Sequence, residues 1–234
     1  MCRKTAVILA GGKGTRLYPY TIAMPKPLVP IGDKPILEII LRQLVRQGID
    51  NIYLAVNHQA ELIQAYCGNG DKYGATITYV LEDKPLGTMG PLKKIGGLPE
   101  DFFILNGDVL SDMDYNSLMQ YHKESGNIFT ISSYKRVQYV DYGVLEIAGN
   151  KLTGFQEKPR LRYNVSMGIY VASRNVLEYI PEDVYYGFDQ LMLRLLAKSL
   201  AVSVKEHKGY WLDIGRPDDY QQAEEDYEKG KFNC

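Results

Sequence analysis

Short apolar runs alternate with segments of helical periodicity in the first half of this 234-residue chain. The runs predict strands, because strands buried on both faces carry few polar positions. The segments between them predict helices, since their apolar residues recur at helical spacing. The predicted strands are Thr5–Ala10, Asn51–Val56, Thr76–Leu81 and Phe102–Leu105, and the predicted helices are Asp33–Gly48, capped by Asp33, Gln59–Tyr66 and Met89–Ile95. This alternation is typical of an α/β protein with a largely parallel sheet.

The pattern changes after Asn127, where the strands become shorter and are separated by turns. The predicted strands are Ile128–Tyr134, Gly143–Ile147, Leu152–Gln156 and Val165–Ala172, and helical periodicity returns at Phe188–Ala197 and Pro217–Lys229. We therefore expect one Rossmann-like domain over residues 1–234. Its open, mostly parallel mixed sheet is flanked by helices, and the shorter strands build a smaller second lobe.

The composition favours small-molecule chemistry. A hydrophobic content of 45% allows a substantial core, and a net charge of −1 argues against a surface that coats nucleic acid. Cys2, Cys67 and Cys234 stand far apart, without metal-site or disulfide spacing, which fits a reducing compartment. The run Ala6–Ala10 is too short for a signal-peptide core, and no apolar stretch reaches membrane-spanning length. We expect a cytoplasmic protein that binds neither nucleic acid nor membrane.

The first predicted strand breaks into the glycine-rich basic loop Gly11–Gly14, which is typical of a phosphate site. Glycines let the backbone turn sharply and direct successive N–H groups at one anion. Lys13, Arg16 and Lys26 add positive charge, and the planar fork of an arginine suits phosphate oxygens. Prolines flank Lys26 and keep that segment extended. The loop is therefore predicted to bind and polarise phosphates.

Asp108 follows the predicted strand Phe102–Leu105 through Asn106 and Gly107. Open α/β sheets bind ligands at the carboxyl ends of their strands. A carboxylate at that edge is a candidate functional group.

Seven ordered motifs resemble those of the sugar-1-phosphate nucleotidyltransferases, and the likeness covers nearly the whole chain. They are Leu9–Leu17, Pro25–Pro27, Glu82 with Pro85–Thr88, Asn106–Asp108, Gln156–Pro159, Gly168–Tyr170 and Trp211–Pro217. The resemblance implies a glycosyltransferase-A-like fold with a sugar-binding lobe. The sequence departs from many relatives in stopping at Cys234, so we expect a single catalytic domain without their left-handed helical C-terminal domain, as in the short mannose or heptose guanylyltransferases.

The resemblance further implies a reaction and a set of site residues. A phosphate oxygen of a sugar 1-phosphate, of a hexose or heptose, attacks the α-phosphorus of a nucleoside triphosphate and releases pyrophosphate. Arg16, Lys26 and Asp108 are the implied catalytic residues, and Asp108 and Asp213 are implied to hold Mg²⁺. The implied nucleotide-binding residues are Leu9, Ala10, Gly11, Gly12, Gly14, Thr15, Arg16, Glu82 and Gly87. The implied sugar-phosphate residues are Gly143, Glu157, Lys158 and Ser166.

Glu82 favours GTP as the nucleotide. Thymidylyl and uridylyl relatives have a glutamine at this position, which donates to a pyrimidine carbonyl and accepts from N3–H. An ionised glutamate only accepts, so it matches the adjacent N1–H and N2–H₂ donors of guanine. Cytosine also presents a donor, so CTP stays open, with UTP or dTTP as further alternatives.

Two other classes of protein remain as hypotheses. A dinucleotide-binding oxidoreductase also begins with a strand and a glycine loop, but its loop reads G-x-G-x-x-G and an acidic residue ends its second strand. Here the loop is basic and the second strand ends at Val56 and Asn57. A non-catalytic nucleotide-sugar sensor would not need Asp108, Asp213 and Lys26 together. The sequence leaves homo-oligomerisation open.

Overall fold

The computed structural model describes residues 3–232. Its strands are β1 (Lys4–Leu9), β2 (Pro30–Ile31), β3 (Lys34–Pro35), β4 (Ile49–Val56), β5 (Thr76–Leu81), β6 (Asp101–Asn106), β7 (Val109–Ser111), β8 (Phe129–Tyr139), β9 (Val144–Ala148), β10 (Lys151–Gln156), β11 (Arg160–Ser173), β12 (Val202–His207) and β13 (Trp211–Asp213). Its α-helices are α1 (Ile36–Arg46), α2 (Ala60–Cys67), α3 (Tyr115–Ser125), α4 (Phe188–Ala197) and α5 (Pro217–Glu228).

Seven strands form one open sheet in the order β12-β8-β11-β6-β1-β4-β5. Neighbouring strands are parallel, except that β11 runs antiparallel to both β6 and β8. The predicted mostly parallel mixed sheet flanked by helices is therefore confirmed. Its ligand-binding edge is the one where β1, β4, β5 and β6 end, as in other open α/β sheets.

The core lies on both faces of this sheet. Along β1, Ala6 and Ile8 pack in one cluster with α1, while Val7 packs in another with α4. This alternation follows from the two-residue period of a strand, which sends successive side chains to opposite faces. Because both faces are covered, β1 reads as a continuous apolar run rather than an alternating one.

Some predicted elements differ from the observed ones. The helix expected over Met89–Ile95 is a short 3-10 segment, Gly90–Lys94. The helix α1 begins after Pro35, and Asp33 is not its cap; the Asp33 carboxylate instead accepts from Lys34 and from the Tyr227 hydroxyl. Proline suits this start, because the first turn of a helix leaves backbone N–H groups without partners.

The smaller lobe grows out of the sheet itself. The outer half of β11, Arg160–Ser166, pairs with β8 beyond the point where β6 stops. The chain segment that connects β8 to β11 forms the β9–β10 hairpin. The β8–β11 pairing shifts between Ser166 and Tyr170. Such a bulge bends a strand, and here it separates the part of β11 in the main sheet from the part in the lobe.

Two further expectations concern the whole chain. Within residues 3–232, no helix combines the length and the apolar character needed to cross a membrane. Cys67 is buried and free, and burial raises the pKa of its thiol to about 11. Cys2 and Cys234 lie outside the described residues.

Candidate active site

Two cavities lie side by side at the carboxyl end of β6. The Glu82 cavity, of about 460 Å³, is lined by Leu9, Gly11, Gly12, Lys13, Asn57, Glu82, Pro85, Gly87, Thr88, Pro91, Asn106, Asp108 and Tyr185. The Arg136 cavity, of about 220 Å³, is lined by Asn106, Val109, Arg136, Val165, Ser166, Met167, Gly168, Trp211 and Asp213. Asn106 lines both cavities, so they adjoin where this strand ends.

The glycine loop after β1 packs against the segment that carries Lys26. Gly14 has a φ of +64°, and a Cβ at this position would lie 2.9 Å from Lys26 Cβ and 3.0 Å from Thr21 Cγ2. The Thr21 hydroxyl donates to the Gly14 carbonyl at 2.8 Å. Glycine is therefore required at position 14 both for its backbone conformation and for this close approach.

Glu82 lies directly against the loop. A Cβ at Gly11 would stand 2.8 Å from Glu82 Oε1, while Glu82 Oε2 accepts from the Leu86 N–H at 3.0 Å. Burial raises the pKa of the Glu82 carboxyl, and the hydrogen bond from Leu86 and the charge of Lys94 oppose that rise. The structure thus holds a half-buried carboxyl in the wall of the cavity, with Oε1 next to Gly11.

The turn around Gly87 is clamped by the segment before α4. Gly87 has a φ of +75°, and a Cβ there would lie 2.7 Å from the Tyr186 carbonyl oxygen. That oxygen accepts from the N–H groups of Met89 and Gly90, and the Tyr186 N–H donates to the Leu86 carbonyl at 2.9 Å. The same segment carries Tyr185, an exposed aromatic side chain on the cavity lining.

Arg16, Lys26, Asp108 and Asp213 form one charged cluster. Lys26 is buried and its Nζ forms an ion pair with Asp108 Oδ2. Burial raises the pKa of Asp213, the charge of Asp108 raises it further, and Lys26 and Arg16 oppose the rise. A Cβ at Gly215 would lie 3.7 Å from Asp213 Oδ2 and 3.9 Å from Arg16 Nη2, so these two side chains approach each other over that glycine. The structure brings the three predicted catalytic residues together with Asp213.

The two carboxylates fit a hard divalent cation. Asp108 Oδ1 is buried and has no hydrogen-bond partner among residues 3–232. The pKa of Asp213 is raised first by burial and then by the nearby negative charge of Asp108. That part of the chain holds no group of three or more His, Cys, Asp or Glu side chains arranged for a metal ion. Two nearby carboxylates suit an ion such as Mg²⁺, which commonly takes its other ligands from water and phosphates.

The Arg136 cavity has a rigid aromatic wall. The Trp211 indole N–H donates to the Met167 carbonyl at 3.0 Å, and the Arg136 guanidinium carbon lies 5.4 Å from the centroid of the indole ring. Ser166 Oγ and the Tyr170 hydroxyl are hydrogen-bonded at 2.9 Å. Ser166, predicted to bind the sugar phosphate, therefore lies in this cavity.

The other predicted sugar-phosphate residues lie in the smaller lobe. A Cβ at Gly143 would lie 3.3 Å from Glu157 Oε2, so the hairpin places these two residues side by side. Lys158 follows with a φ of +44°. All three residues are exposed, and they line neither of the two cavities.

The predicted nucleotide-binding residues divide into two groups. Leu9, Gly11, Gly12, Glu82 and Gly87 line the Glu82 cavity. Ala10, Gly14, Thr15 and Arg16 belong to the same loop but are not part of that lining. Ala10 is buried and its N–H donates to the Ala55 carbonyl, which anchors the loop to β4.

Sequence reasoning assigned no role to several lining residues. Asn57 directly follows the predicted strand Asn51–Val56, at the edge where open α/β sheets bind ligands, so its position indicates a site residue. Asn106 and Trp211 belong to motifs quoted for the resemblance. Arg136 belongs to no motif, and only the pairing of β8 with β11 and the packing of Trp211 bring it to the site.

The two cavities suit a reaction between two phosphorylated molecules. The Glu82 cavity combines a glycine loop with a hydrogen-bonding carboxyl group, and the Arg136 cavity combines a guanidinium with a serine and an aspartate. At the junction of the cavities, carboxylates and cations lie close together, as the ion pair of Lys26 with Asp108 shows. Such preorganised charges stabilise the charge that develops on reacting phosphates.

This class of fold and site agrees with the known family that the chain matches. A family model described as nucleotidyl transferase matches residues 5–230, so the chain belongs to that family. This family membership contradicts the hypothesis that the chain is a dinucleotide-binding oxidoreductase.

Individual relatives refine this placement. The chain is 36% identical to the UTP--glucose-1-phosphate uridylyltransferase of Synechocystis, covering 93% of this chain and 62% of that protein. It is also 36% identical to probable mannose-1-phosphate guanylyltransferase 1 of Oryza sativa, covering 92% and 62%. It therefore spans somewhat less than two thirds of these curated relatives. A crystal structure of HddC from Yersinia pseudotuberculosis complexed with GMP-PN matches with a TM-score of 0.74 and 28% identity, covering 96% of this chain and 99% of HddC.

Proposed function

We propose that this protein transfers a guanylyl group from GTP to a hexose or heptose 1-phosphate, forming a nucleotide-activated sugar and releasing pyrophosphate. The observation that carries the proposal is the carboxyl of Glu82 in the wall of the Glu82 cavity, next to the glycine loop Gly11–Gly14. An ionised carboxylate matches the two adjacent donors of guanine. The guanylyltransferase name of the rice relative and the GMP-PN bound to HddC support the same nucleotide.

In the proposed reaction, a phosphate oxygen of the sugar 1-phosphate forms a bond to the α-phosphorus of GTP. The bond from that phosphorus to the bridging oxygen breaks, and pyrophosphate leaves with the electron pair. The chain positions both anions rather than forming a covalent intermediate. Arg16 and the loop amides bind the triphosphate, and Lys26 stabilises the negative charge around the α-phosphate.

Asp108 and Asp213 are the residues we propose for Mg²⁺. Bound there, the ion would neutralise phosphate oxygens and the leaving pyrophosphate. Lys26 pairs with Asp108 and so offsets part of the carboxylate charge. That contact compensates the charges of a buried lysine and a partly buried aspartate.

We assign the acceptor sugar to the Arg136 cavity and to the β9–β10 hairpin of the smaller lobe. Lys158 and Ser166 contact the sugar phosphate, Glu157 contacts the sugar hydroxyls, and the backbone of Gly143 lies beside the sugar when the acceptor is bound. The described residues act as one catalytic domain, since a single seven-stranded sheet supports both cavities.

Uridylyl transfer is the second candidate, because the Synechocystis relative is a uridylyltransferase with the same identity as the rice guanylyltransferase. Glu82 weighs against it. The acceptor edge of uracil would face a carboxylate, whereas a glutamine would satisfy it.

The test is a matrix of GTP, CTP, UTP and dTTP against hexose and heptose 1-phosphates, including mannose 1-phosphate, read by pyrophosphate release in Mg²⁺. We expect turnover with GTP to exceed that with each other nucleotide. A preference for UTP or dTTP would overturn the guanylyl assignment and leave nucleotidyl transfer intact. Nucleotide binding without pyrophosphate release from any pair would point to the non-catalytic sensor instead.

A further inference from the structure

Arg136 is held at the boundary between the main sheet and the smaller lobe. It lies on β8 opposite Tyr163 of β11, and its guanidinium stands over the Trp211 ring. The indole is fixed by its hydrogen bond to the Met167 carbonyl and by packing against Tyr134, whose ring centroid is 5.3 Å away. A cation–π contact with a fixed ring restricts the guanidinium, while its N–H donors can still bind a ligand.

No carboxylate neutralises this guanidinium within residues 3–232. Arg136 makes no ion pair there, and its side chain is exposed. By contrast, the buried ammonium of Lys26 is already paired with Asp108, and Lys135, the neighbour of Arg136 along β8, is paired with Glu206. Arg136 is thus a cation on the lining of a cavity, held over an aromatic ring and without an ion-pair partner in the described part of the chain.

The charge of the cavity explains why such a cation is needed. Asp213 lines the same cavity, and the neighbouring Asp108 contributes a second carboxylate at the junction. A sugar 1-phosphate carries a largely dianionic phosphate and must approach both of these carboxylates and a triphosphate. Without compensating positive charge, repulsion would oppose its binding. A guanidinium fork matches two oxygens of one phosphate and suits this requirement.

We propose that Arg136 binds the phosphate group of the acceptor sugar 1-phosphate and presents it to the nucleotide. The proposal rests on the proposed function, and it adds a residue that belongs to none of the motifs. Ser166 lines the same cavity and its hydroxyl is held by Tyr170, so it can donate to the same phosphate. Asn106, which lines both cavities, marks where this phosphate meets the nucleotide.

The experiment compares Arg136→Gln and Arg136→Lys with the unaltered protein in steady-state pyrophosphate release from GTP and mannose 1-phosphate, or from the best pair in the matrix. Arg136→Gln should raise KM for the sugar 1-phosphate by roughly 10- to 100-fold, because one charge-assisted bidentate contact is lost. KM for GTP should stay within about twofold. Arg136→Lys should recover part of the loss, since it keeps the charge but lacks the fork.

Arg162→Gln is the matched control. Arg162 lies on β11 opposite Val137, so its side chain projects from the face of the β8–β11 pair opposite to that of Arg136. The Arg162→Gln substitution removes the same charge from a neighbouring position of this pair. It should leave both KM values unchanged. Binding of mannose 1-phosphate and of free mannose, followed by calorimetry, separates phosphate recognition from sugar recognition: only the phosphate ester should lose affinity in Arg136→Gln.

The outcomes separate the two proposals. If the unaltered protein releases pyrophosphate but Arg136→Gln keeps its KM for the sugar 1-phosphate, Arg136 does not bind the acceptor phosphate and the proposed function stands. An equal rise of KM in Arg162→Gln would also overturn the assignment, since it would reveal a general charge effect. If the unaltered protein neither turns over nor binds a sugar 1-phosphate, both proposals fail.

Discussion

The proposed choice of nucleotide in the Glu82 cavity depends on a single residue. Glu82 has one oxygen committed to the Leu86 N–H and the other beside Gly11. Each oxygen of a carboxylate has two lone pairs, so Oε2 can accept from a ligand while it keeps the Leu86 contact. The carboxyl is also half-buried, which strengthens a hydrogen bond to it and makes an unmatched polar group costly. One residue at this position can therefore select among bases.

We expect Glu82→Gln to lower kcat/KM for GTP by an amount equivalent to roughly 1–3 kcal/mol, because a charge-assisted acceptor is replaced by a neutral amide. UTP and dTTP should gain relative to GTP, since glutamine can donate to a carbonyl and accept from N3–H. The measurement is kcat/KM for all four nucleotides at a fixed sugar 1-phosphate. Asp83→Asn, which removes the same charge from the exposed neighbouring residue, should keep the ranking; an unchanged ranking in Glu82→Gln would show that Glu82 does not contact the base.

Sequence reasoning located the residues that lie within motifs and missed those that only the fold brings in. The glycine loop and Asp108 could be found because each follows a strand at the ligand-binding edge, and Glu82 because it belongs to a motif of the family that the chain resembles. Arg136 and Tyr185 could not. The position of Arg136 depends on a long strand pairing and that of Tyr185 on a clamp around Gly87, and neither contact leaves a local pattern in the sequence.

At the scale of elements, α3 is joined to the sheet by a buried polar network. His122 of α3 lies within hydrogen-bond distance of Thr130 Oγ1 of β8 at 2.8 Å and of Ser173 Oγ of β11 at 3.0 Å. Ser173 also donates to Asp101 Oδ1 at 3.0 Å. Burial lowers the pKa of His122, and the Asp101 charge opposes that shift only in part. The imidazole is therefore kept neutral inside the fold.

This network predicts a pH-dependent stability. Because the pKa of His122 is lower in the folded protein than in the unfolded chain, the unfolded chain binds more protons in the window below the ordinary value of 6.5. The free energy of unfolding should thus fall as pH decreases through that window. Urea denaturation at about pH 7.5 and about pH 5.5 measures this loss.

The His122→Asn variant should have a lower free energy of unfolding than the unaltered protein at about pH 7.5. Its free energy of unfolding should fall less than that of the unaltered protein when the pH decreases to about 5.5. His58→Asn, which removes an imidazole outside the network, should keep the full loss. Equal losses in all three proteins would contradict a neutral, buried His122.

The sequence predicts some elements of secondary structure better than others, and α3 shows why. The strand β1 was found because it reads as a continuous apolar run, and the helix α4 because its apolar residues recur at helical spacing. The helix α3 was missed, since its inward face is Tyr115, Leu118 and His122, in which polar atoms dilute the helical signal. Over Gly90–Lys94 the reverse happened: apolar residues suggested a helix, but the clamp from Tyr186 holds a short 3-10 turn.

At the scale of the whole molecule, the fold places two cavities around one cluster of charges. The glycine loop and Lys26 come from the first 26 residues, Asp108 from the end of β6, and Asp213 from the end of β13, which pairs with β7. The Ile214 N–H donates to the Asp108 carbonyl at 3.0 Å, so the backbone itself fixes the two aspartates relative to each other. The central claim is that this carboxylate pair carries metal-dependent nucleotidyl transfer between the cavities.

The most direct test of that claim is the turnover number of Asp108→Asn for pyrophosphate release at saturating GTP and sugar 1-phosphate in Mg²⁺. The variant keeps the shape of the side chain but removes a charge from the proposed cation site. Thermal denaturation should therefore show a folded variant, and Asp112→Asn serves as a control at an exposed carboxylate that lines neither cavity. We expect kcat of Asp108→Asn to fall on the order of 100-fold or more. Turnover close to that of the unaltered protein would contradict the account.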